Sequence, residues 1–496
     1  FSTAFAATDE MNDTETGLRS VKLPDRLERV ARTAELVPLQ STARQPASSF
    51  VPGGVPLIAT ENNDHYPSLA TDGSGNVLAM AEMSVSTFES GIGMRYSDDG
   101  GGTWNPASDI ISWEIEGLER FPTIDYTGGS DFQGYGTYMP DPGIGRFPLI
   151  HFPSLSDPEA VWQDDQGWTV YGFDASGNYE NYDGIDVAGY LYGEDIAPYP
   201  DFHGVLFSTC IDSETGLDTL SLVYETEDLG LQLLYLPEVA GLMSDATCDI
   251  DISTGEYFEA WEWKDEPDVI EDGVYLDHAY LEPGNPDWWS VEGEWQGFIF
   301  EDAHNPDVAA ANGNCYLVYE WTDPTMGTTD IVCAYSNDNG DTFDTIQLTE
   351  TGIDNEKYPV VSVVGDMVLC AYYLNGDLYT VVSEDGGATW EQQEGTVNEE
   401  SGTVVDEDGA FTLAGQYIAW TDNSGDTNDV YFALALNAPV IGITGLSGGF
   451  GITATVTNTG TEDAEDVAYT IAFDALIGGT EKTGTVSVPV GSEAEI

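Results

Sequence analysis

Residues 97–104 read Ser97-Asp98-Asp99-Gly100-Gly101-Gly102-Thr103-Trp104, and this turn decides the fold. An Asp at its third position can accept hydrogen bonds from backbone N–H groups a few residues on, and Gly101 suits a backbone with φ > 0. We expect the Trp104 ring to fold back over the hairpin and cover its end. An apolar β run, residues 92–96, comes directly before the turn. The stretch therefore predicts a turn that joins two antiparallel strands.

The same turn occurs three times in the chain. Its fixed positions are Ser97, Asp99, Gly101, Thr103 and Trp104 in the first copy, Ser336, Asp338, Gly340, Thr342 and Phe343 in the second, and Ser383, Asp385, Gly387, Thr389 and Trp390 in the third. Apolar β runs precede the later copies as well, at residues 331–335 and 378–382. The repeat resembles the Asp-box, or BNR, repeat of sialidase-like β-propellers, and this resemblance implies an all-β propeller.

The spacing of the turns predicts the size of the propeller. A proline at a strand entry precedes each turn, Pro67 and Pro306 by 30 residues and Pro359 by 24. The last two turns lie 47 residues apart, which fits one four-stranded blade of about 40–50 residues. A propeller over residues 55–437 then has about seven blades, with six or eight left open. Residues 403–436 predict a last blade that lacks its outer strand.

The charge of the chain is strongly unbalanced. Its 496 residues include 89 Asp and Glu against 12 Lys and Arg, a formal net charge of −77. Such a surface repels nucleic acid and anionic membranes, so neither is expected as a partner. No apolar run reaches the roughly 18 residues of a membrane span. Because salt screens such charge, the composition predicts a secreted, extracellular protein of a saline, halophilic habitat.

Residues 1–54 form an N-terminal arm with a different charge balance. The arm holds half of the basic residues, namely Arg19, Lys22, Arg26, Arg29, Arg32 and Arg44. Residues 24–36 predict one helix, with Pro at its start and an apolar stripe along one side. The arm packs either on its own propeller or on a neighbouring copy, to whose acidic body it is complementary. Residues 1–7 are either the remnant of a signal peptide or a mature strand.

Residues 438–496 predict a second β domain. Apolar and polar residues alternate at 452–457 and 467–473 between Gly-rich turns, which indicates a β-sandwich. Through Asn458, Gly460, Ala464 and Val467 the stretch resembles the immunoglobulin-like (CARDB-type) adhesion modules of prokaryotic surface proteins. Such a sandwich usually has about seven strands, whereas this stretch predicts about five. Either the sequence stops early or a neighbouring copy adds a strand at an open edge.

The five cysteines show no metal or haem spacing. They are Cys210, Cys248, Cys315, Cys333 and Cys370. Cys315 and Cys333 fall on successive predicted strands of one blade and are the disulfide candidate of a secreted protein, with Cys210–Cys248 as a weaker second pair. Buried, unpaired thiols explain all five equally well.

The resemblance to sialidases implies a catalytic set that this chain lacks. Those enzymes use three arginines on a carboxylate, one of them within a Phe/Tyr-Arg-Ile-Pro motif, together with a Tyr–Glu pair and an acidic Asp. The propeller region holds only Arg95, Arg120 and Arg146, all in its first third, and the motif is absent. Sialidase activity is therefore not expected, and no catalytic residue is assigned.

Basic residues recur two positions before the prolines of the blade entries. The sites are His65, Arg120, His304 and Lys357, with Arg146 and His151 as less regular cases. Blade entries lie near the mouth of the central channel in propellers, so these cations are expected to converge there and bind an anion such as an acidic sugar. The alternative is that each cation pairs with a carboxylate of the channel.

Two loops space oxygen ligands in a manner suited to calcium. They contain Asp174, Ser176, Asn178 and Glu180 in one loop and Asp422, Asp426 and Asp429 in the other. Ordinary solvated loops explain both nearly as well, so calcium is one of two interpretations.

The sequence favours a non-enzymatic surface or filament-forming adhesion protein. It would associate with copies of itself through the arm and the C-terminal module, and it would bind glycans. The alternative is a secreted glycan-degrading enzyme or lectin that acts on acidic sugars at the channel mouth.

Overall fold

Every regular element in the described part of the chain is a β-strand. The computed structural model describes residues 54–73, 75–86, 89–104, 111–112, 118–126, 132–139, 147–151, 179–192, 202–212, 218–226, 230–235, 242–264, 273–280, 296–323, 327–349, 354–365, 367–393, 395–435, 441–448, 452–458, 464–472, 481–489 and 492–496. The N-terminal arm with its predicted helix lies outside these residues. Within them, no helix has the length and apolar character needed to cross a membrane.

The strands up to residue 434 form consecutive antiparallel sets, which we number sheets 1 to 7. Sheet 1 contains β2 (Asn63–Thr71), β3 (Val77–Ser86), β4 (Glu89–Ser97) and β5 (Ile111–Ser112); sheet 2 contains β6 (Leu118–Tyr126), β7 (Phe132–Met139) and β8 (Phe147–His151); sheet 3 contains β9 (Tyr179–Tyr192), β10 (Phe202–Asp212), β11 (Asp218–Thr226) and β12 (Gly230–Tyr235). One parallel pair, Ser90–Leu118, joins the first two sheets.

The remaining sheets follow the same plan. Sheet 4 contains β13 (Leu242–Asp251), β14 (Glu256–Lys264), β15 (Gly273–Tyr280) and β16 (Gln296–Glu301); sheet 5 contains β17 (Ala303–Ala311), β18 (Asn314–Thr322), β19 (Thr329–Ser336) and β20 (Asp344–Gln347); sheet 6 contains β21 (Lys357–Val364), β22 (Met367–Leu374), β23 (Asp377–Ser383) and β24 (Glu391–Gln392). Sheet 7 has the order β25 (Phe411–Ala414), β26 (Tyr417–Asp422), β27 (Asp429–Leu434) and β1 (Val55–Ile58).

The first strands of the sheets contact one another in a closed ring. The order is β2, β6, β9, β13, β17, β21, β25 and back to β2. The outer strand expected to be missing from residues 403–436 comes from the start of the described chain, because β1 pairs with β27. A ring of sheets around an axis, closed by a strand from the other end of the chain, is the architecture of a β-propeller.

Apolar side chains fill the gaps between neighbouring sheets. On β18 the side chains alternate, so that Leu317 packs towards sheet 4 and Val318 towards sheet 6. Both are fully buried. Because β18 is covered on both faces, its centre is apolar on both faces rather than on one. Each such side chain contributes about 1.5–3 kcal/mol to stability.

Polar side chains near the axis also link each sheet to the next. Ser68, directly after Pro67, accepts a hydrogen bond at 2.9 Å from the backbone N–H of Ile124 in sheet 2. Asp307, directly after Pro306, accepts one at 2.6 Å from the backbone N–H of Val361 in sheet 6. These acceptors satisfy backbone donors that the strand ladders leave over, as buried donors require.

The disulfide predicted between Cys315 and Cys333 is not formed. Both thiols are free and buried, as is that of Cys370, and Cys248 is buried as well. The strand register explains the result, because Cys333 lies opposite Val318 while Cys315 lies opposite Ser336. Cys315 packs in the gap towards sheet 4 and Cys333 in the gap towards sheet 6, on opposite faces of their sheet. The side chain of Cys210 lies outside the described residues.

The C-terminal strands form two small sheets that share a core. One contains β28 (Ile441–Gly448), β29 (Ile452–Asn458) and β32 (Glu493–Glu495), and the other contains β30 (Ala464–Ala472) and β31 (Glu481–Val488). Val456, Ala464 and Val488 are buried between them, and Val467 packs against this core. The two sheets are compatible with a sandwich, and the immunoglobulin-like fold stays a prediction.

Several carboxyl groups are enclosed inside the sheets, where burial outweighs the hydrogen bonds and nearby histidine charges that favour ionisation. Glu259 and Asp277 lie opposite each other on β14 and β15, and Glu259 accepts a hydrogen bond from the Tyr257 hydroxyl at 2.8 Å. Burial raises the pKa of Asp277 to about 6 and that of Glu259 well above its ordinary value. Burial likewise raises the pKa of Asp64 to about 6, although Thr60 donates hydrogen bonds to it.

We expect the protein to be more stable in mild acid than at neutral pH. Between about pH 4 and pH 6 the folded chain keeps protons on Asp64 and Asp277 that the unfolded chain has lost. The free energy of unfolding therefore falls as the pH rises through this window. Thermal melts from pH 4 to pH 8 measure the effect, and Asp277→Asn, which removes one titrating group, should flatten the curve. A melting temperature that rises towards pH 8 would contradict this reasoning.

Candidate functional site

The basic–x–Pro tripeptides form β-bulges where the first strands begin. The register shifts between His65 and Ser68 in β2, between His304 and Asp307 in β17, and between Lys357 and Val360 in β21. The middle residue of each tripeptide is left-handed, with φ of 51° at Tyr66, 47° at Asn305 and 54° at Tyr358. Such angles are uncommon for residues other than glycine, above all for bulky ones. The bulges place the basic residues at one end of the ring, which we call the channel mouth.

A buried glutamate holds the basic residues of sheets 4 and 5. The Glu262 carboxylate contacts His304 Nδ1 at 2.8 Å and Lys264 Nζ at 2.7 Å. Burial alone would raise its pKa, but the hydrogen bonds from His304 and Lys264 bring the pKa of Glu262 down to about 2. In return, the hydrogen bond to Glu262 raises the pKa of His304. The hydrogen bond through Nδ1 thus favours the charged form of the imidazole.

Glutamates at equivalent positions fix the left-handed residues. Glu320 accepts hydrogen bonds from the Tyr358 N–H at 2.8 Å and from Asn305 Nδ2 at 2.6 Å. It therefore connects the bulge of its own sheet with that of the next. Glu82 in sheet 1 lies opposite His65, whose Nε2 is 3.4 Å from the carboxylate.

These glutamates were not predicted from the sequence, although a signal for them exists. Glu82, Glu262 and Glu320 each stand near the end of a second strand, followed by one large apolar residue and one polar residue. The signal is weak because 89 acids occur in the chain, and only the pairing of strands shows which of them face the blade entries.

Lys357 in sheet 6 binds a carboxylate that comes from a loop. Its Nζ lies 2.9 and 3.1 Å from the two Asp406 oxygens, and it sits 5.6 Å and 5.9 Å from the ring centres of Tyr358 and Tyr373. The residue next to Asp406, Glu407, accepts a hydrogen bond from the Tyr66 hydroxyl of sheet 1. The loop before β25 therefore contacts both sheet 6 and sheet 1 at the mouth.

Asp245 places a carboxyl group at the mouth whose pKa is raised, unlike that of Glu262. It occupies the left-handed position of the sheet 4 bulge, with φ of 54°. Burial first, and then the charge of Asp408, raise the pKa of Asp245 to about 7. Ser244 donates a hydrogen bond of 2.7 Å to it. This carboxyl is partly protonated at neutral pH.

The structure thus brings His65, His304 and Lys357 to the same end of the ring. Each contacts a carboxylate, which is the alternative that the sequence left open. Arg120 lies in β6 at the matching bulge, but its side chain lies outside the described residues. Anion binding at the mouth stays a prediction.

The calcium loops give no metal arrangement in the described part of the chain. Among its residues, no three His, Cys, Asp or Glu side chains are gathered as a metal ion would need. The Asp422 carboxylate is engaged by Thr403 Oγ1 at 2.6 Å and by the Ser424 N–H at 2.9 Å. Asp426 is exposed, and Asp429 lies opposite Asp422 in the β26–β27 ladder. Asp174, Ser176 and Asn178, together with the Glu180 side chain, lie outside the described residues.

The three Asp-box turns share one hydrogen-bond pattern at the end of the sheets opposite the mouth. They follow third strands, which run parallel to the first strands and so end at the other side. In the first copy the Asp99 oxygens accept from the Thr103 N–H at 2.7 Å and from its hydroxyl at 2.8 Å, and Ser97 Oγ accepts from the Gly101 N–H at 2.8 Å. In the third copy the Thr389 bonds lower the pKa of Asp385.

The turns also contact the sheet that precedes them. Trp104 packs edge-on against Phe432 of sheet 7 at 4.9 Å, and Phe343 packs against Phe298 of sheet 4 at 4.8 Å. The expectation that the ring covers its own hairpin is therefore incomplete, because the ring reaches into the gap between two sheets. The Asp-box glycines are placed similarly, since a Cβ on Gly387 would lie 2.8 Å from the Tyr316 ring of sheet 5.

A comparison with known protein families agrees with the turn. A profile of the BNR/Asp-box repeat matches residues 95–106. No characterised protein sequence matches the chain significantly. Among solved structures, it is similar to the polysaccharide lyase Uly1 (8% identity, 78% of this chain and 100% of the lyase covered, TM-score 0.47). It is also similar to a Trypanosoma rangeli sialidase (13%, 79% and 59%, 0.40) and to the β-propeller domain of the Trilobed protease from Pyrococcus furiosus (8%, 74% and 94%, 0.39). The chain spans less than two thirds of the sialidase, and likenesses at this level carry no argument about ligand or activity.

Proposed function

We propose that the chain is a non-enzymatic extracellular or cell-surface protein that binds anionic glycans at the channel mouth. The observation that carries this proposal is the position of the basic residues. Only six Lys and Arg occur after residue 54 in a chain of net charge −77. Two of them, Lys264 and Lys357, lie at the mouth, as does His304, whose charged form is favoured by its hydrogen bond to Glu262.

These cations remain open to a ligand on one side. The side chains of Lys264, His304 and Lys357 are 50%, 31% and 32% exposed, although each contacts a carboxylate. A sugar carboxylate can share such a cation, and at Lys357 it can displace the partner, since the pair with Asp406 is exposed and exposed ion pairs are weak. Tyr66 and Tyr358 add rings with a polar tip, and clefts that combine apolar surface with a few polar groups are typical ligand sites.

The proposal includes the wider organisation of the chain. The ring of first strands supports seven blades, and the two C-terminal sheets support an immunoglobulin-like adhesion module. Association of copies through the N-terminal arm, into a filament or lattice, is part of the proposal because the basic arm and the acidic body are complementary. Sedimentation of the whole chain at rising concentration measures it. Calcium and a saline habitat stay proposals of the same kind, and chelation followed by a thermal melt tests the metal.

Titration calorimetry with trigalacturonate, an acidic trisaccharide, tests the binding at low ionic strength. We expect Lys357→Met to weaken binding about tenfold or more, because a charge-assisted hydrogen bond is lost. Lys482→Met is the matched control, since it removes the same charge from β31 in the C-terminal sheets, and we expect it to change the affinity less than about twofold. Equal losses in both variants would show that only net charge matters and that the mouth is not the site.

A second candidate is a glycan-degrading enzyme at the same mouth. The observation in its favour is the Glu262–His304 pair, because a carboxylate that fixes Nδ1 leaves Nε2 as the proton donor, as in many acid–base catalysts. Release of new sugar ends from polygalacturonate, lost in His304→Ala and kept in Lys482→Met, would replace the binding proposal with this one.

A further inference from the structure

We propose that Asp406 is an internal competitor that occupies the place of a ligand carboxylate on Lys357. This inference rests on the proposed function and names how the site is regulated. The loop before β25 carries Asp406, Glu407, Asp408 and Gly409 in succession, and we call residues 406–409 the acidic tip. In the free protein the tip holds the mouth closed at Lys357, and an anionic glycan binds by displacing it.

The base of the loop is fixed, whereas its tip is exposed. Thr403 and Val404 are buried, and Val404 N–H donates to the Gly376 carbonyl at 2.9 Å while Thr403 Oγ1 donates to Asp422 at 2.6 Å. Ala410, after the tip, is buried as well. All four residues of the tip are exposed, and the Asp406 side chain is 48% exposed. Because the residues on either side of the tip are buried and the tip itself is exposed, the tip can move while the propeller stays folded.

The contacts that hold the tip at the mouth are made by side chains. Asp406 receives Lys357 Nζ, and Glu407 accepts from the Tyr66 hydroxyl, so that the tip reaches sheets 6 and 1 at once. Asp408 lies close enough to sheet 4 for its charge to act on Asp245. A ligand that takes over the side-chain contact of Asp406 with Lys357 therefore loosens the tip.

Asp406 has the geometry expected of a bound ligand carboxylate. Both of its oxygens lie within hydrogen-bond distance of one Nζ. That Nζ is positioned by the rings of Tyr358 and Tyr373, and Tyr358 is itself fixed by Glu320. Residues of sheets 5 and 6 thus position the Lys357 ammonium group, whereas its partner carboxylate comes from the loop before β25. A sugar acid presents the same group to the same cation.

The ion pair between Asp406 and Lys357 must be weak if a ligand is to displace Asp406. Exposed ion pairs of this kind are modest, so removing the Asp406 charge should raise the affinity for an anionic glycan only about two- to fivefold.

The test compares Asp406→Asn with Asp408→Asn by titration of the whole chain with trigalacturonate. Both variants remove one negative charge from the tip, but only the first removes the partner of Lys357. We expect Asp406→Asn to bind about two- to fivefold more tightly than the unchanged protein and Asp408→Asn to bind less than about 1.5-fold more tightly. Equal gains in both variants, or no gain in Asp406→Asn, would overturn the competitor.

Hydrogen exchange separates a failure of this inference from a failure of the proposed function. The amide of Ala410, which donates to the Glu407 carbonyl, should exchange faster in Asp406→Asn than in the unchanged protein and in Asp408→Asn. If the Ala410 amide exchanges at the same rate in Asp406→Asn as in the unchanged protein, Asp406 does not hold the tip, and the proposed function is unaffected. If none of the three proteins binds trigalacturonate, the proposed function fails, and the competitor fails with it.

Discussion

Replacing Gly101 by alanine is expected to lower the free energy of unfolding of the propeller by about 2–5 kcal/mol. Gly101 has φ of +84°, which an alanine adopts only with strain, and a Cβ there would overlap the Phe432 ring of sheet 7. Both effects act at one residue, because the glycine closes the Asp-box turn and also touches the sheet that precedes it. Urea unfolding followed by tryptophan fluorescence measures the change.

Gly73→Ala separates the two effects. Gly73 has φ of +69° in the turn between β2 and β3, but no atom lies within 4 Å of the Cβ that alanine would add. Only the backbone strain of about 1–2 kcal/mol should therefore appear. If the two variants lose the same stability, the contact between Gly101 and sheet 7 contributes nothing, and the linking role of the Asp box is wrong.

Asp307→Ala is expected to destabilise the propeller by about 2–4 kcal/mol. Its carboxylate accepts hydrogen bonds from the Val361 N–H of sheet 6 at 2.6 Å and from the Thr247 hydroxyl of sheet 4 at 3.1 Å. The variant leaves a backbone donor near the axis without its acceptor, and it cuts the connection across three sheets. The same urea titration measures the loss.

Asp344→Ala controls for the charge that is removed. Asp344 is exposed at the start of β20, so its loss should change the stability by less than about 0.5 kcal/mol. In a chain with such an excess of acids, the removal of one negative charge alone relieves repulsion. A loss in Asp307→Ala no greater than that in Asp344→Ala would show that the sheets do not depend on this carboxylate.

The sequence was sufficient to predict the Asp-box turns and the β-propeller fold. The Asp box encodes its structure locally, because the Gly101 N–H donates to Ser97 and the Thr103 N–H donates to Asp99, each only four residues away. The tripeptides at the strand entries are local too, and so their common position at one end followed from the repeat. Local chemistry of this kind is readable without knowledge of the tertiary structure.

What the sequence did not predict depends on contacts between distant residues. The strand register decides which face of the sheet Cys315 and Cys333 lie on, and this register cannot be derived from the sequence alone. The partners of His304 and Lys357 come from a preceding sheet and from a loop 49 residues away. Acids are so abundant here that no pattern singles out Glu262 or Asp406 before the sheets are arranged around the axis.

The central claim is that the mouth recognises an anionic glycan. Its most direct test is calorimetry of the whole chain with two trisaccharides of the same linkage, trigalacturonate and neutral galactotriose, at low ionic strength. We expect the acidic sugar to bind at least about tenfold more tightly than the neutral one. Equal affinity for the two sugars, or tighter binding of the neutral one, would contradict the claim.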